Sequence, residues 1–115
     1  MPYLSIETNI SLSENQQKDL MEAASRLIVE KMKKPQGYTM VSYGETKRIL
    51  FAGTEEAAAF VQLRAINLAA DQCGDLSKEI CALLEKYCCI KPERVFINFS
   101  DIPAKLWGYN RTTFG

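Results

Sequence analysis

No histidine occurs anywhere in this 115-residue chain. That absence excludes Ser-His-Asp and Cys-His catalysis and every metal site that needs imidazole. Acid–base chemistry near neutral pH then falls to a group with a displaced pKa, or to the α-amino terminus, whose ordinary pKa is about 7.7–8.0. An excess of either charge is missing too. Lys and Arg number 14, as do Asp and Glu, so the chain lacks the basic footprint of a nucleic-acid binder. No stretch approaches the roughly 18 consecutive apolar residues of a membrane helix. The opening Met1-Pro2-Tyr3-Leu4-Ser5-Ile6-Glu7 has neither the basic segment nor the apolar run of a signal peptide. These absences predict a cytoplasmic protein with no nucleic-acid and no membrane partner. Cys-x-x-Cys pairs are also lacking. Cys73, Cys81, Cys88 and Cys89 match no zinc module and read as free, mostly buried thiols in a reducing compartment.

What is present suffices for one core: 47% of the residues are hydrophobic and 24% charged. From Tyr3 to Ile10 the pattern alternates, with Leu4, Ile6 and Ile10 on one side and Ser5, Glu7 and Asn9 on the other, which is strand periodicity. Ser11 with Glu14, or Ser13 with Gln16, can form a capping box at a helix start. Leu20, Ala23, Ala24, Leu27 and Ile28 then recur at helical spacing, and Pro35 ends the helix near Lys33. Gly37 opens a turn, and Tyr38 to Tyr43 is rich in β-formers and predicts a strand. The second half repeats the order. Ala57 to Ile66 reads as a strand, Gly74-Asp75 as a turn with Asp75 able to cap a helix, Ile80, Leu83, Leu84 and Tyr87 as that helix's apolar stripe, and Val95 to Phe99 as a strand. Lys34-Pro35 and Lys91-Pro92 lie 57 residues apart, each between a helix and a strand.

The chain therefore predicts two tandem β-α-β units, with halves of about 1–57 and 58–115. Helical crossovers of this length join parallel strands, so the fold class is α+β, a four-stranded mixed sheet with two helices on one face. The other face would be bare and the sheet edges open. Tyr3, Phe60, Phe96 and Trp107 add apolar surface to that problem, which predicts an oligomer whose sheets cover one another.

Several stretches together resemble the macrophage migration inhibitory factor family of the tautomerase superfamily. They are the Met1-Pro2 start, Lys34-Pro35 with Tyr38 beyond, Phe51-Ala52-Gly53-Thr54-Glu55, Arg94 to Phe99, and the ending Trp107-Gly108-Tyr109-Asn110-Arg111-Thr112-Thr113-Phe114-Gly115. Single motifs are weak; their order and spacing over essentially the whole chain are specific. The resemblance implies a single tautomerase domain over 1–115, a homotrimer with a central channel, and cofactor-free keto–enol tautomerisation of small aromatic α-keto acids such as phenylpyruvate, with dopachrome-type substrates as a second class. It also implies an alternative: a cytokine-like protein, exported without a signal peptide, that binds a cell-surface receptor, with weak or vestigial tautomerase activity. A trimeric scaffold with a vestigial pocket is the third.

The resemblance also assigns residues. With Met1 removed, the amine of Pro2 is the catalytic base; read alone, Pro2 is only a stiff residue before an edge strand. Lys34 is implied to hold the substrate carboxylate and to lower the Pro2 amine's pKa by like-charge repulsion. Read alone it is a lysine favoured by the helix dipole, and the adjoining Lys33 fits the motif less well. Ile66 is implied to contact substrate through its backbone N–H, within Ala65-Ile66-Asn67, where Asn67 replaces a usual glycine. Tyr38, Tyr109, Trp107 and Phe114 are implied as aromatic pocket walls, and Asn98 as a polar group from the neighbouring subunit; simple packing would explain the aromatics equally. Phe96 stands where the family usually has tyrosine, which keeps a ring at the pocket mouth and loses a hydroxyl donor. Phenylpyruvate-like substrates should tolerate that loss best. The family's Cys-x-x-Cys positions read Ala58 and Val61 here, so thiol–disulfide oxidoreductase activity is not expected.

Overall fold

The structure, a computed structural model, describes residues 1–46 and 48–115. In chain order it forms β1 (Tyr3–Thr8), α1 (Glu14–Met32), β2 (Met40–Glu45), β3 (Ala59–Ala65), α2 (Cys73–Cys88), β4 (Val95–Asp101) and a short hairpin of β5 (Gly108–Tyr109) and β6 (Thr112–Thr113). The four long strands make one sheet in the order β2-β1-β3-β4. β1 runs parallel to β2 and β3 parallel to β4, while β1 and β3 pair antiparallel at the centre. Each parallel pair is one β-α-β unit, and the antiparallel seam joins the two, so the sheet is mixed as expected.

Alternation decides which face is covered. Leu4, Ile6 and Thr8 of β1 and Ala59, Val61, Leu63 and Ala65 of β3 are buried, and α1 and α2 pack against them. The intervening Tyr3, Ser5, Glu7, Phe60, Gln62 and Arg64 therefore lie on the opposite face. Phe60 and Phe96, directly in register on β3 and β4, are 39% and 63% exposed there.

The capping alternatives resolve on Ser13. Its Oγ accepts from Gln16 N–H at 3.1 Å, and Gln16 Oε1 accepts from Ser13 N–H at 2.9 Å, so two otherwise orphaned donors are satisfied reciprocally. The two helices bury matched rows: Leu20, Ala24, Ile28 and Met32 of α1, and Leu76, Ile80, Leu84 and Cys88 of α2. They also end alike, in left-handed caps at Lys33 (φ 54°) and Cys89 (φ 55°), 56 positions apart.

Four expectations need correction. Tyr38 does not begin a strand; with the ring of Pro35 fixing φ, Gln36–Tyr38 close a 3-10 turn through Tyr38 N–H to Pro35 O at 3.2 Å, and β2 starts at Met40. Gly74-Asp75 is not a turn. A 3-10 turn at Ala70–Gln72 leads directly into α2 at Cys73, so Asp75 lies inside the first helical turn, near the positive end of the dipole, rather than capping it. The stripe of α2 faces the core through Leu76, Ile80, Leu84 and Cys88, leaving Leu83 and Tyr87 half-buried at its flank. Finally, the two Lys-Pro pairs are not equivalent. The turns after the helices span Gln36–Tyr38 and Pro92–Arg94, so Pro35 corresponds to Lys91, and Lys34 to the fully buried Ile90.

Candidate active site

A cavity of about 580 Å³ opens at the end of the sheet where β1 begins. Pro2 sits in its floor, buried, held by its carbonyl accepting Met40 N–H at 3.0 Å in continuation of the β1–β2 ladder. The left-handed cap at Lys33 breaks α1, and the next residue, Lys34, sends its ammonium to the carbonyl of Ile66 at 3.0 Å, just past the end of β3. Asn67 follows with φ 60°. Asparagine tolerates that conformation, so the tight loop expected of a glycine survives the replacement. Asp101 closes the loop, its Oδ1 accepting Leu68 N–H at 3.1 Å.

Three rings build one wall. Tyr109 and Phe114 stack with centroids 5.4 Å apart and planes 10° from parallel, and Tyr38 meets them edge-on at 5.3 and 5.7 Å. Such offset and edge geometries are the favourable ones for aromatic pairs. The hairpin that carries two of these rings turns through Asn110 and Arg111, both with positive φ (47° and 71°), as a two-residue type I′ turn requires. It is tied down by Phe114 N–H donating to Trp107 O at 3.2 Å.

Five of the nine expected site residues, Pro2, Tyr38, Trp107, Tyr109 and Phe114, line this one cavity. Lys34 and Ile66 are bonded to one another beside it rather than in its lining. Phe96 and Asn98 are exposed on β4 and do not line it within this chain. Phe96 instead packs on Phe51, with ring centroids 4.5 Å apart. The sequence reading missed Tyr3, Met40, Ile102, Leu106 and Arg64 as lining residues. The available signal for Tyr3 and Arg64 was strand alternation, which places both on the face away from the helices.

Electrostatics at the floor favour an uncharged amine. The terminal amino group of the chain, on Met1, is held below its ordinary value of 8.0, first by burial and then by the nearby charge of Lys34. The Tyr3 hydroxyl is also made more acidic, by hydrogen bonding to Ser42 above all, then to Ser5, with the positive charge of Arg64 adding to it. The Tyr3–Ser42 contact is 2.8 Å. Among the described residues no aspartate or glutamate lines the cavity. Among the described residues no group of three or more Cys, Asp or Glu is placed to hold a metal ion.

A buried chain start, a lysine beside it and an aromatic wall are the parts the sequence motifs shared with the macrophage migration inhibitory factor family. The model of that family matches residues 1–115. This chain belongs to the macrophage migration inhibitory factor family. It is similar to the macrophage migration inhibitory factor homolog of Trichuris trichiura, 32% identical over 99% of this chain and 100% of that one. With macrophage migration inhibitory factor of Rattus norvegicus it shares 30% identity over 99% of both chains. Among solved structures, the homologue from Prochlorococcus marinus superposes with a TM-score of 0.93 at 28% identity, over 98% of this chain and 99% of that one. The sheet and helices described above are thus the tautomerase-superfamily fold. No helix among the described residues is long and apolar enough to cross a membrane.

Proposed function

We propose that this protein is a keto–enol tautomerase acting on small aromatic α-keto acids such as phenylpyruvate, with the amine of Pro2 as acid and base once Met1 is removed. One observation carries the reading: Met1 and Pro2 line an aromatic-walled cavity, where burial and then Lys34 favour the neutral form of the Met1 amine, surroundings the Pro2 amine would inherit. A neutral secondary amine takes a proton from the carbon next to the substrate carbonyl. The C–H electrons become the enol double bond, and the carbonyl oxygen gains a proton as the ammonium gives one up. Tyr38, Tyr109 and Phe114 hold the substrate ring, and Trp107 lies beside them. Lys34 turns from the Ile66 carbonyl to the substrate carboxylate, and the Ile66 backbone N–H contacts the substrate.

The uncovered sheet face supports a homotrimer, because exposed Met40, Phe60 and Phe96 would be covered by neighbouring sheets. In that assembly Phe96 and Asn98 complete a neighbour's cavity, which accounts for their distance from this chain's own. A second reading, a signalling protein that binds a cell-surface receptor, is favoured by membership in a family named for migration inhibition.

The deciding experiment measures phenylpyruvate enolisation by wild type and Pro2→Gly, after mass spectrometry has established that Met1 is gone. Pro2→Gly should lose at least about 100-fold in kcat/KM, the usual contribution of a positioned base. Retained Met1, or full activity in Pro2→Gly, overturns the enzyme reading; receptor binding that survives Pro2→Gly marks signalling as separate.

A further inference from the structure

We propose that Arg64 and the Tyr3 hydroxyl form a second anion-binding subsite in this cavity, so that the preferred substrates are keto acids carrying another carboxylate at the far end. This rests on the tautomerase reading for the word substrate, and on the structure alone for the subsite.

Arg64 lines the same cavity as Pro2 and brings a fixed positive charge to it. Lys34 reaches the end of β3 from the helix side, bonded to Ile66 O, whereas Arg64 projects from β3 with the residues of the uncovered face. The two cations thus come from different directions, Lys34 from the end of α1 and beside the cavity, Arg64 from the uncovered face and within its lining. Within the chain, among the described residues, little neutralises Arg64. Its cross-strand partners are Tyr3 on β1 and Ser100 on β4, both uncharged. Its described hydrogen bond goes to Gln62 Oε1 at 3.1 Å, which occupies one of five N–H donors. No carboxylate among the described residues lines the cavity. Tyr3, its cross-strand partner, adds a hydroxyl polarised first by its hydrogen bond to Ser42, then by Ser5, with the charge of Arg64 a lesser influence. A planar guanidinium on the same sheet face as that hydroxyl, in a cavity that no acid lines among the described residues, fits a carboxylate better than any neutral group. The hydroxyl also supplies a donor that Phe96 does not. A flat aromatic ring with a carboxylate on each side would span the two cations, and its ring would stand against the aromatic wall.

The test uses the full chain with Met1 removed. Calorimetry compares terephthalate, a ring with two opposed carboxylates, with benzoate, which has one. Wild type should bind terephthalate about tenfold more tightly than benzoate. Arg64→Gln should abolish the difference, and Arg64→Lys should restore part of it. In parallel, the ratio of kcat/KM for 4-carboxyphenylpyruvate to that for phenylpyruvate should fall about tenfold in Arg64→Gln. Equal affinity for the two acids in wild type, or an unchanged preference in Arg64→Gln, overturns the subsite. A terephthalate preference that depends on Arg64 in a protein that turns over neither keto acid leaves the subsite standing and overturns the tautomerase reading instead. An unchanged thermal unfolding midpoint shows that the variants are folded.

Discussion

Lys34 illustrates how one side chain can act at two distances. Its ammonium is anchored on the Ile66 carbonyl, yet its charge lowers the pKa of the terminal amine. If the Pro2 amine is the proposed base and meets the same burial and the same lysine that lower the Met1 amine, its neutral, active form persists toward neutral pH and the acid limb of kcat/KM is displaced downward. Lys34→Ala removes the repulsion, so the limb should move to higher pH and activity at pH 7 should fall; a limb that stays in place would show that Lys34 acts on substrate alone. Arg94 poses a different problem. It is 7% exposed and has no acidic partner; its guanidinium donates to the carbonyls of Phe51, Thr54, Glu56 and Ala57, the shortest at 2.6 Å, and lies over the Phe51 ring. Truncation strands several acceptors at once. Arg94→Leu should cost about 3 kcal/mol in urea unfolding, and Arg94→Lys, with fewer and less planar donors, about half of that. The gathering of Pro2 and the aromatic rings around one cavity was legible in sequence because a few motifs occurred in a specific order. The roles of Arg94 and Arg64 were not, since an isolated arginine carries no periodicity and its partners here are backbone atoms or residues on other strands.

At the scale of elements, the sequence disclosed whatever obeys a period. Strand alternation found the buried face of β1 and β3, and helical spacing found α1 but only half of the row that α2 buries, Ile80 and Leu84. It failed where local geometry overrides propensity. Tyr38, a β-former, is drawn into a 3-10 turn by Pro35, and Gly74 enters a helix whose first turn continues a preceding one. The β5–β6 hairpin escaped notice because Arg111 sits at φ 71°, a place where glycine would have signalled the turn. The matched helix ends offer a test of the repeat. Lys33 and Cys89 both adopt left-handed conformations that cost a side-chained residue energy. Lys33→Gly and Cys89→Gly should each raise stability by about 0.5–1 kcal/mol in chemical denaturation, and the double variant should show the sum. A loss in either would mean that its side chain contributes more than the backbone strain removes.

For the whole molecule, the uncovered face and the position of Phe96 and Asn98 make assembly and catalysis one question. If each cavity takes its base from one subunit and its mouth from the next, two inactive variants should rescue each other. Pro2→Gly and Phe96→Asp chains, unfolded together and refolded at equal concentration, should recover about a quarter of wild-type turnover, since only one ordered pair of subunits in four is intact. Mixing them without subunit exchange should recover nothing. Recovery in neither case would assign Phe96 to its own chain's cavity rather than a neighbour's.

The two halves of the chain repeat strand, helix, cap and turn, but they do not repeat the nitrogen. Pro2 stands just before β1; Ala58 stands just before β3, and its amide donates to Asn9 Oδ1 at 2.8 Å, a mid-chain peptide nitrogen that cannot be basic. Duplication can copy every fold element, but a polypeptide has a single beginning. If the proposed base is the Pro2 amine, chemistry founded on that beginning is limited to one centre per chain, and such an architecture would gain further centres only by recruiting further chains.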